Sequence, residues 1–254
     1  MKAVVFGSGL SGLFAAWACH ESGVDYVVYT DKVVKPTVQG FVYLHYPCGM
    51  PLSSELLRQH VVPVVGDLDK ASEFYSNRVY GNASVPNSLK YAFDNPEVQI
   101  WNMHAAIEHI WGIIGDRVKL RVIRDLDEVL KITTKEANIG FSTIPLPAID
   151  RDGIYYSVDA YVTVSPDPSA MCNAVYYNGG VEDEPAYRWG VINGQRFTES
   201  RTKPGKVVRK VTFARYMPHV PDKLMLVGRY GAWDKTHLAH VVYDKVKRVL
   251  EECQ

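Results

Sequence analysis

The stretch VVFGSGLSGLFAAWACHESG, residues 4–23, decides how the rest of the chain is read. It opens inside a β-branched and aromatic run, residues 3–6, which suits a strand buried on both faces. Gly7-Ser8-Gly9-Leu10-Ser11-Gly12 follows, a G-x-G-x-x-G. LFAAWACHES then reads as a helix rich in small residues, stopped by Gly23. VDYVVYTD, residues 24–31, supplies a second strand. Strand, glycine turn, helix and strand thus fall within about 30 residues, the setting in which this pattern marks a dinucleotide-binding unit rather than a merely structural turn. Lys2, the apolar run and AAWAC imitate a secretion signal. Gly7, Gly9 and Gly12 would interrupt the apolar helix that a signal requires.

Each glycine has its own task. Gly7 permits the tight turn, Gly9 lets a pyrophosphate approach bare backbone, and Gly12 lets the helix lie close on the strand, with Ala15 and Ala16 keeping that contact thin. The helix N-terminus, with Ser8, Leu10 and Ser11 around it, offers N–H groups and a partial positive charge to phosphate. An acidic residue is expected to close the second strand and hold the ribose hydroxyls. The residue 18 beyond Gly12, where flavoproteins usually carry Glu, is Thr30, and Asp31 stands one further on. Asp31 is therefore the expected ribose ligand.

Bulk properties narrow the partners. The chain has 254 residues, 47% of them hydrophobic, enough for one or two packed domains. Lys+Arg and Asp+Glu are 28 each, so no broad basic field exists to hold nucleic acid. The one dense basic run, RTKPGKVVRK at 201–210, is expected to be a solvated hairpin arm. Cys19, Cys48, Cys172 and Cys253 form no CxxC pair and have no His at zinc-ligand spacing, so they read as reduced thiols of a cytoplasmic protein. No apolar run is long enough for a membrane helix. No G-x-S-x-G, HExxH or Walker pattern is present, which leaves acyl transfer, zinc proteolysis and phosphoryl transfer without support.

Beyond residue 31 the βα alternation of an NAD domain breaks off. Residues 32–66 are rich in Pro, Gly, Tyr and Val. NMHAAIEHIWGIIG (102–115) reads as a helix, RVKLRVI as a strand and DLDEVLKITTKEAN as a short helix. ANIGFSTIPLPAI, 137–149, is a buried strand ending in Ser-Thr, with prolines at 145 and 147. DKLMLVGRYGAWDKTHLAHVVYDKVKRVLEE closes the chain as strand, glycine turn and amphipathic helix, with Asp234 at that helix's start and His237 and His240 on it.

These segments resemble the FAD-dependent amine oxidase and UDP-galactopyranose mutase group. FSTIP is similar to its D-x-V-I-x-T-x-P strand end. VGRYGAW is similar to the mutases' closing G-R-x-G-x-Y motif, so that Gly228, Arg229, Gly231 and Trp233 align with its Gly, Arg, Gly and first Tyr; the later Tyr and Met are unmatched. AVYYNGGVEDEPAYRWGVINGQRFTE, 174–199, resembles the mutase stretch in which an Arg holds substrate phosphates. Tyr187-Arg188 fits it after a one-residue slip, and Glu199 falls late.

The resemblance implies an α/β fold: a three-layer FAD-binding Rossmann-like domain with a smaller antiparallel β-rich substrate layer. The first would collect residues 1–38, 95–150 and 218–254, the second 39–94 and 151–217. It implies FAD, bound by Gly7, Ser8, Gly9, Leu10, Ser11, Gly12, Asp31, Gly228, Arg229, Gly231 and Trp233. His45, in GFVYLHYPCG, would face the flavin ring as acid or base; Tyr46, Tyr187 and Arg188 would contact substrate. The expected reaction is hydride transfer from a C–N or C–O bond of a small or carrier-attached amine or sugar to flavin N5. The alternative is a non-redox mutase or transferase in which reduced FAD acts as nucleophile on a nucleotide-linked substrate. A cofactor-binding module without catalysis is the third reading. No metal is expected.

Overall fold

The computed structural model of the chain describes residues 1–37, 43–52, 56–64, 75, 77, 79, 97–167, 173–178, 186–192, 194–202 and 204–253. Most of the expected β-rich stretch 39–94, and Cys172, lie outside the described residues.

One sheet is wholly parallel. It contains β1 (Lys2–Phe6), β2 (Asp25–Thr30), β6 (Val118–Leu120), β7 (Ile139–Ser142) and β13 (Leu224–Leu226), in the order β13-β7-β1-β2-β6. β1 is at its centre, and Ala3, Val4, Val5 and Phe6 are all fully buried. Ala3 and Val5 face one apolar cluster, Val4 and Phe6 another. A strand covered on both faces has no wet side to mark with polar residues, which is why AVVF reads as an unbroken apolar run.

Helices cover both faces. α1 (Leu10–Glu21), α2 (Met103–Ile114) and α5 (Ala239–Glu252) share the Ala3/Val5 cluster. α3 (Leu126–Glu136) packs on Val4 and Phe6 through Val129 and Ile132. α1 is buried without a break from Gly12 to Cys19. Past its end at Glu21, Gly23 N–H donates to the His20 carbonyl at 3.0 Å, and the Gly23 φ of +65° turns Val24 N–H onto the Cys19 carbonyl, also at 3.0 Å. α5 turns Val242, Tyr243, Val246 and Leu250 inward at helical spacing and packs on α1. Asn102 caps α2 by accepting from the N–H groups of His104 and Ala105, and Asp125 caps α3 by accepting from Glu128 N–H. α4 is a single turn, Leu146–Ile149, after Pro145.

The second sheet has eight strands: β3 (Tyr43–Leu44), β4 (Leu56–Val64), β5 (Glu97–Asn102), β8 (Ile154–Pro166), β9 (Asn173–Asn178), β10 (Ala186–Ile192), β11 (Gln195–Ser200) and β12 (Lys206–Arg215). Their order is β12-β8-β11-β10-β9-β4-β5-β3. Every pairing is antiparallel except β4 with β9, which is parallel.

The expected α/β class, with a parallel Rossmann-like sheet and a separate β-rich layer, is the one observed. Among the described residues the β-rich sheet has eight strands and the parallel sheet five. Three local expectations are corrected. Residues 97–102, assigned to the dinucleotide part, pair with β3 and β4 in the second sheet, and the chain changes layer at the Asn102 cap. RVKLRVI is strand only over Val118–Leu120; Arg121 N–H still bonds the Thr30 carbonyl, at 2.8 Å, where β2 itself ends. The last helix starts at Ala239, so His237 precedes it, and Asp234 caps a turn instead, accepting from the N–H and hydroxyl of Thr236 at 2.8 and 2.7 Å.

Candidate dinucleotide cleft

The C-terminal ends of β1, β7 and β13 lie side by side, and the glycine residues singled out in the sequence meet there. Gly7 has φ +95°, and its N–H donates to the Tyr29 carbonyl at 2.7 Å. A Cβ on Gly7 would stand 2.5 Å from Thr143 Oγ1, and one on Gly12 1.9 Å from the Gly7 carbonyl oxygen. Both positions are closed to any side chain. Gly9 is the opposite case: a Cβ there meets nothing within 4 Å. Gly9 is also the N-cap of α1, and no side chain caps that helix. The unmet N–H groups of the first turn therefore open onto free space at Gly9, the geometry that suits a phosphate.

The other wall is the turn after β13. Gly228 has φ +82°, and a Cβ there would stand 2.5 Å from Ser11 Oγ. On Gly231 it would stand 2.3 Å from the Val227 oxygen and 2.7 Å from that of Ser142. Gly7, Gly9, Ser11, Gly12, Gly228 and Gly231 are thus brought together. Thr143, which the sequence reading used only as part of a strand end, joins them: its N–H and hydroxyl both donate to the Phe6 carbonyl at 2.8 Å.

Trp233 faces elsewhere. Its φ is +48°, and its indole N–H donates to the carbonyls of Tyr156 and Phe213, at 3.2 and 3.1 Å. Tyr155 lies across it, and the ring fixes this turn to β8 and β12. Tyr230 does the same, donating its hydroxyl to the Arg209 carbonyl at 2.7 Å. Arg229, between them, is half-buried; its carbonyl accepts from Asp234 N–H at 3.0 Å, and its side chain makes no hydrogen bond or ion pair among the described residues.

Close to Arg229 in charge lies a buried ionic group that sequence reading missed. Glu199 accepts from Arg188 at 2.6 Å and from Lys210 at 3.2 Å. The three sit on one sheet, Arg188 on β10 directly opposite Glu199 on β11, and Lys210 on β12 across the intervening β8. Burial draws the Lys210 ammonium down to about 8, with Arg188 and Arg229 adding to the effect and Glu199 opposing it. Lys210 thus departs from the expected solvated arm: it is 8% exposed. Its partners lie 11 and 22 positions away in sequence, so no local signal reveals them.

The substrate ligands named from sequence separate. Arg188 belongs to this ionic group, with its guanidinium 6.0 Å from the Tyr177 ring. Tyr187 is fully buried against Val79 and Ala160. The register shift between Ala186 and Arg188 accounts for both neighbours pointing into the protein.

His45 and Tyr46 meet the first turn of α5. The His45 and His240 rings are 4.7 Å apart, Tyr46 and His240 5.5 Å, and Tyr46 donates its hydroxyl to the His240 carbonyl at 3.3 Å. Burial lowers His45; burial and then the adjacent His45 lower His240 to about 4. Both rings are neutral near pH 7. Cys48 is structural: its carbonyl accepts from Trp17 Nε1 at 2.7 Å, and burial pushes its thiol up to about 12. Asp31 is exposed and makes no hydrogen bond or ion pair among the described residues, while Thr30 is bonded to Ser8.

Comparison with known proteins places this arrangement. No protein-family model matches the chain, and no curated protein matches it. Solved structures do. The chain is similar to reduced UDP-galactopyranose mutase, with a TM-score of 0.54 at 9% identity over 99% of this chain and 95% of that one. It is similar to a triple mutant of the flavin-dependent brominase Bmp2, with a TM-score of 0.55 at 10% identity over 98% of this chain and 78% of that one. PF1083 from Pyrococcus furiosus gives 0.51 at 13% identity over 98% of both chains. The fold is shared with these proteins.

Proposed function

We propose that the chain is an FAD-dependent oxidoreductase whose cofactor lies across the ends of β1, β7 and β13. The observation that supports this most is the open backbone at Gly9, facing an uncapped helix N-terminus and walled by positions where no side chain fits. Likeness in fold to a flavin-dependent brominase and to a UDP-galactopyranose mutase points the same way. In this reading the dinucleotide part collects residues 1–38, the segment from α2 to α4, and 218–254; the second sheet forms the substrate layer. Ser8, Leu10, Ser11 and Gly12 hold the pyrophosphate through backbone N–H groups. Gly228, Arg229 and Gly231 close the far side, with Trp233 holding their turn in place.

Bound FAD supplies a two-electron acceptor for a hydride from a C–N or C–O bond of a small or carrier-attached amine or sugar. His45, neutral through burial, accepts the proton released from the substrate nitrogen or oxygen. Tyr46 orients that substrate. A second reading, a mutase or transferase that uses reduced FAD on a nucleotide-linked substrate, is favoured by one observation: the Arg229 side chain has no ion pair among the described residues, lies close enough to Lys210 to lower its ammonium, and suits a substrate phosphate.

The test is titration of the purified protein with FAD and with NAD, followed by anaerobic mixing with amines and with nucleotide sugars. Saturable FAD binding, then bleaching of the flavin absorbance by an amine or alcohol, is the expected result. Conversion of a nucleotide sugar only after prior reduction selects the mutase reading. Binding of NAD and not FAD overturns both.

A further inference from the structure

The end of β2 departs from the general rule for ribose recognition. Dinucleotide-binding units place a carboxylate roughly 20 residues beyond the glycine loop, where it bonds the ribose hydroxyls. The side chain in that place here is Thr30, 5% exposed and turned toward the loop. Ser8 Oγ donates to Thr30 Oγ1 at 2.9 Å, Lys32 N–H donates to the same oxygen at 3.3 Å, and the Thr30 hydroxyl donates to the Lys32 carbonyl at 3.2 Å. A hydroxyl has one proton and two lone pairs, so Thr30 is fully engaged by the protein. Asp31 lies one residue past the end of β2, exposed and without a hydrogen bond or ion pair to any described residue, so nothing in the strand fixes its carboxylate toward the loop.

We infer that the adenosine end of the cofactor is held without a charged ribose clamp, the neutral Ser8–Thr30 pair standing in its place, so that FAD is an exchanging ligand of this chain. The inference rests on the FAD reading above. A hydrogen bond to a carboxylate is roughly twice as strong as one between neutral groups, and its absence is felt mainly in how fast the cofactor leaves.

The test uses full-length protein stripped of flavin, titrated with FAD by quenching of flavin fluorescence and, separately, with ADP by calorimetry. FAD is expected to wash out of the wild type on dialysis and to return on addition. Thr30→Glu is expected to tighten both FAD and ADP by roughly ten-fold, and Asp31→Ala to change either by less than about two-fold. A ten-fold weakening in Asp31→Ala identifies Asp31 as a charged clamp and overturns the inference. So does a Thr30→Glu protein that melts as the wild type does and binds no tighter. If Thr30→Glu fails to fold, Asp31→Ala alone decides. Wild-type protein that binds neither FAD nor ADP defeats the cofactor reading itself, an outcome separate from the others.

Discussion

Two glycine residues three apart in one loop answer to opposite demands. Gly12 exists for the fold: a Cβ there would lie 1.9 Å from the Gly7 oxygen, so Gly12→Ala forces the helix off the strand. A loss of about 1–3 kcal/mol is expected in denaturant unfolding. On the proposed reading Gly9 serves the ligand. Its φ of −64° is open to any residue and its Cβ space is empty, so Gly9→Val should melt within a few degrees of wild type yet lose FAD binding in the fluorescence titration. The tight turn at Gly7 and the close helix–strand contact at Gly12 were legible because the pattern is local: strand, turn and helix are consecutive. The bond from Ser8 to Thr30 was not legible. It joins residues 22 apart, and only the strand pairing brings them together. The burial of Tyr187 was not legible for a related reason: a bulge re-aims a side chain, and the bulge appears only in the pairing of β10 with β11.

Elements contribute what single residues do not. Nothing in the local sequence of β10, β11 and β12 fixes which strand borders which. The Arg188–Glu199–Lys210 group exists only in the observed order, with β8 between β11 and β12. Removing its one anion leaves two cations buried. Glu199→Gln should therefore cost about 3–5 kcal/mol in urea unfolding, while Lys210→Met, which leaves the Arg188–Glu199 pair intact, should cost distinctly less. Equal losses for the two would show that charge balance is not what holds this corner. The same limit explains residues 97–102: their membership in the second sheet depends on β3 and β4, far from them in sequence.

Over the whole molecule, three histidines set the response to acid. His45, His237 and His240 are all held below 6.5 in the folded chain, chiefly by burial, and His240 falls to about 4. Below pH 6.5 the unfolded chain takes up protons that the folded chain refuses, so stability is lost as pH falls from about 6.5 toward 4. Glu199 extends the loss: its neighbours Arg188 and Lys210 outweigh burial and bring its carboxyl to about 2, so its contribution fades from about pH 4.5 downward. The melting temperature is expected to drop steadily between pH 7 and 4, and His240→Gln to flatten the slope in the same series of melts. Gly228 resting on Ser11, and the last helix resting on the first, have a consequence for biosynthesis. α1 leaves the ribosome well before residues 224–252 and cannot cover its apolar face until they have been translated. In that interval α1 is a sticky, unfinished surface, and nascent chains stalled before that point are where chaperone capture and aggregation should concentrate.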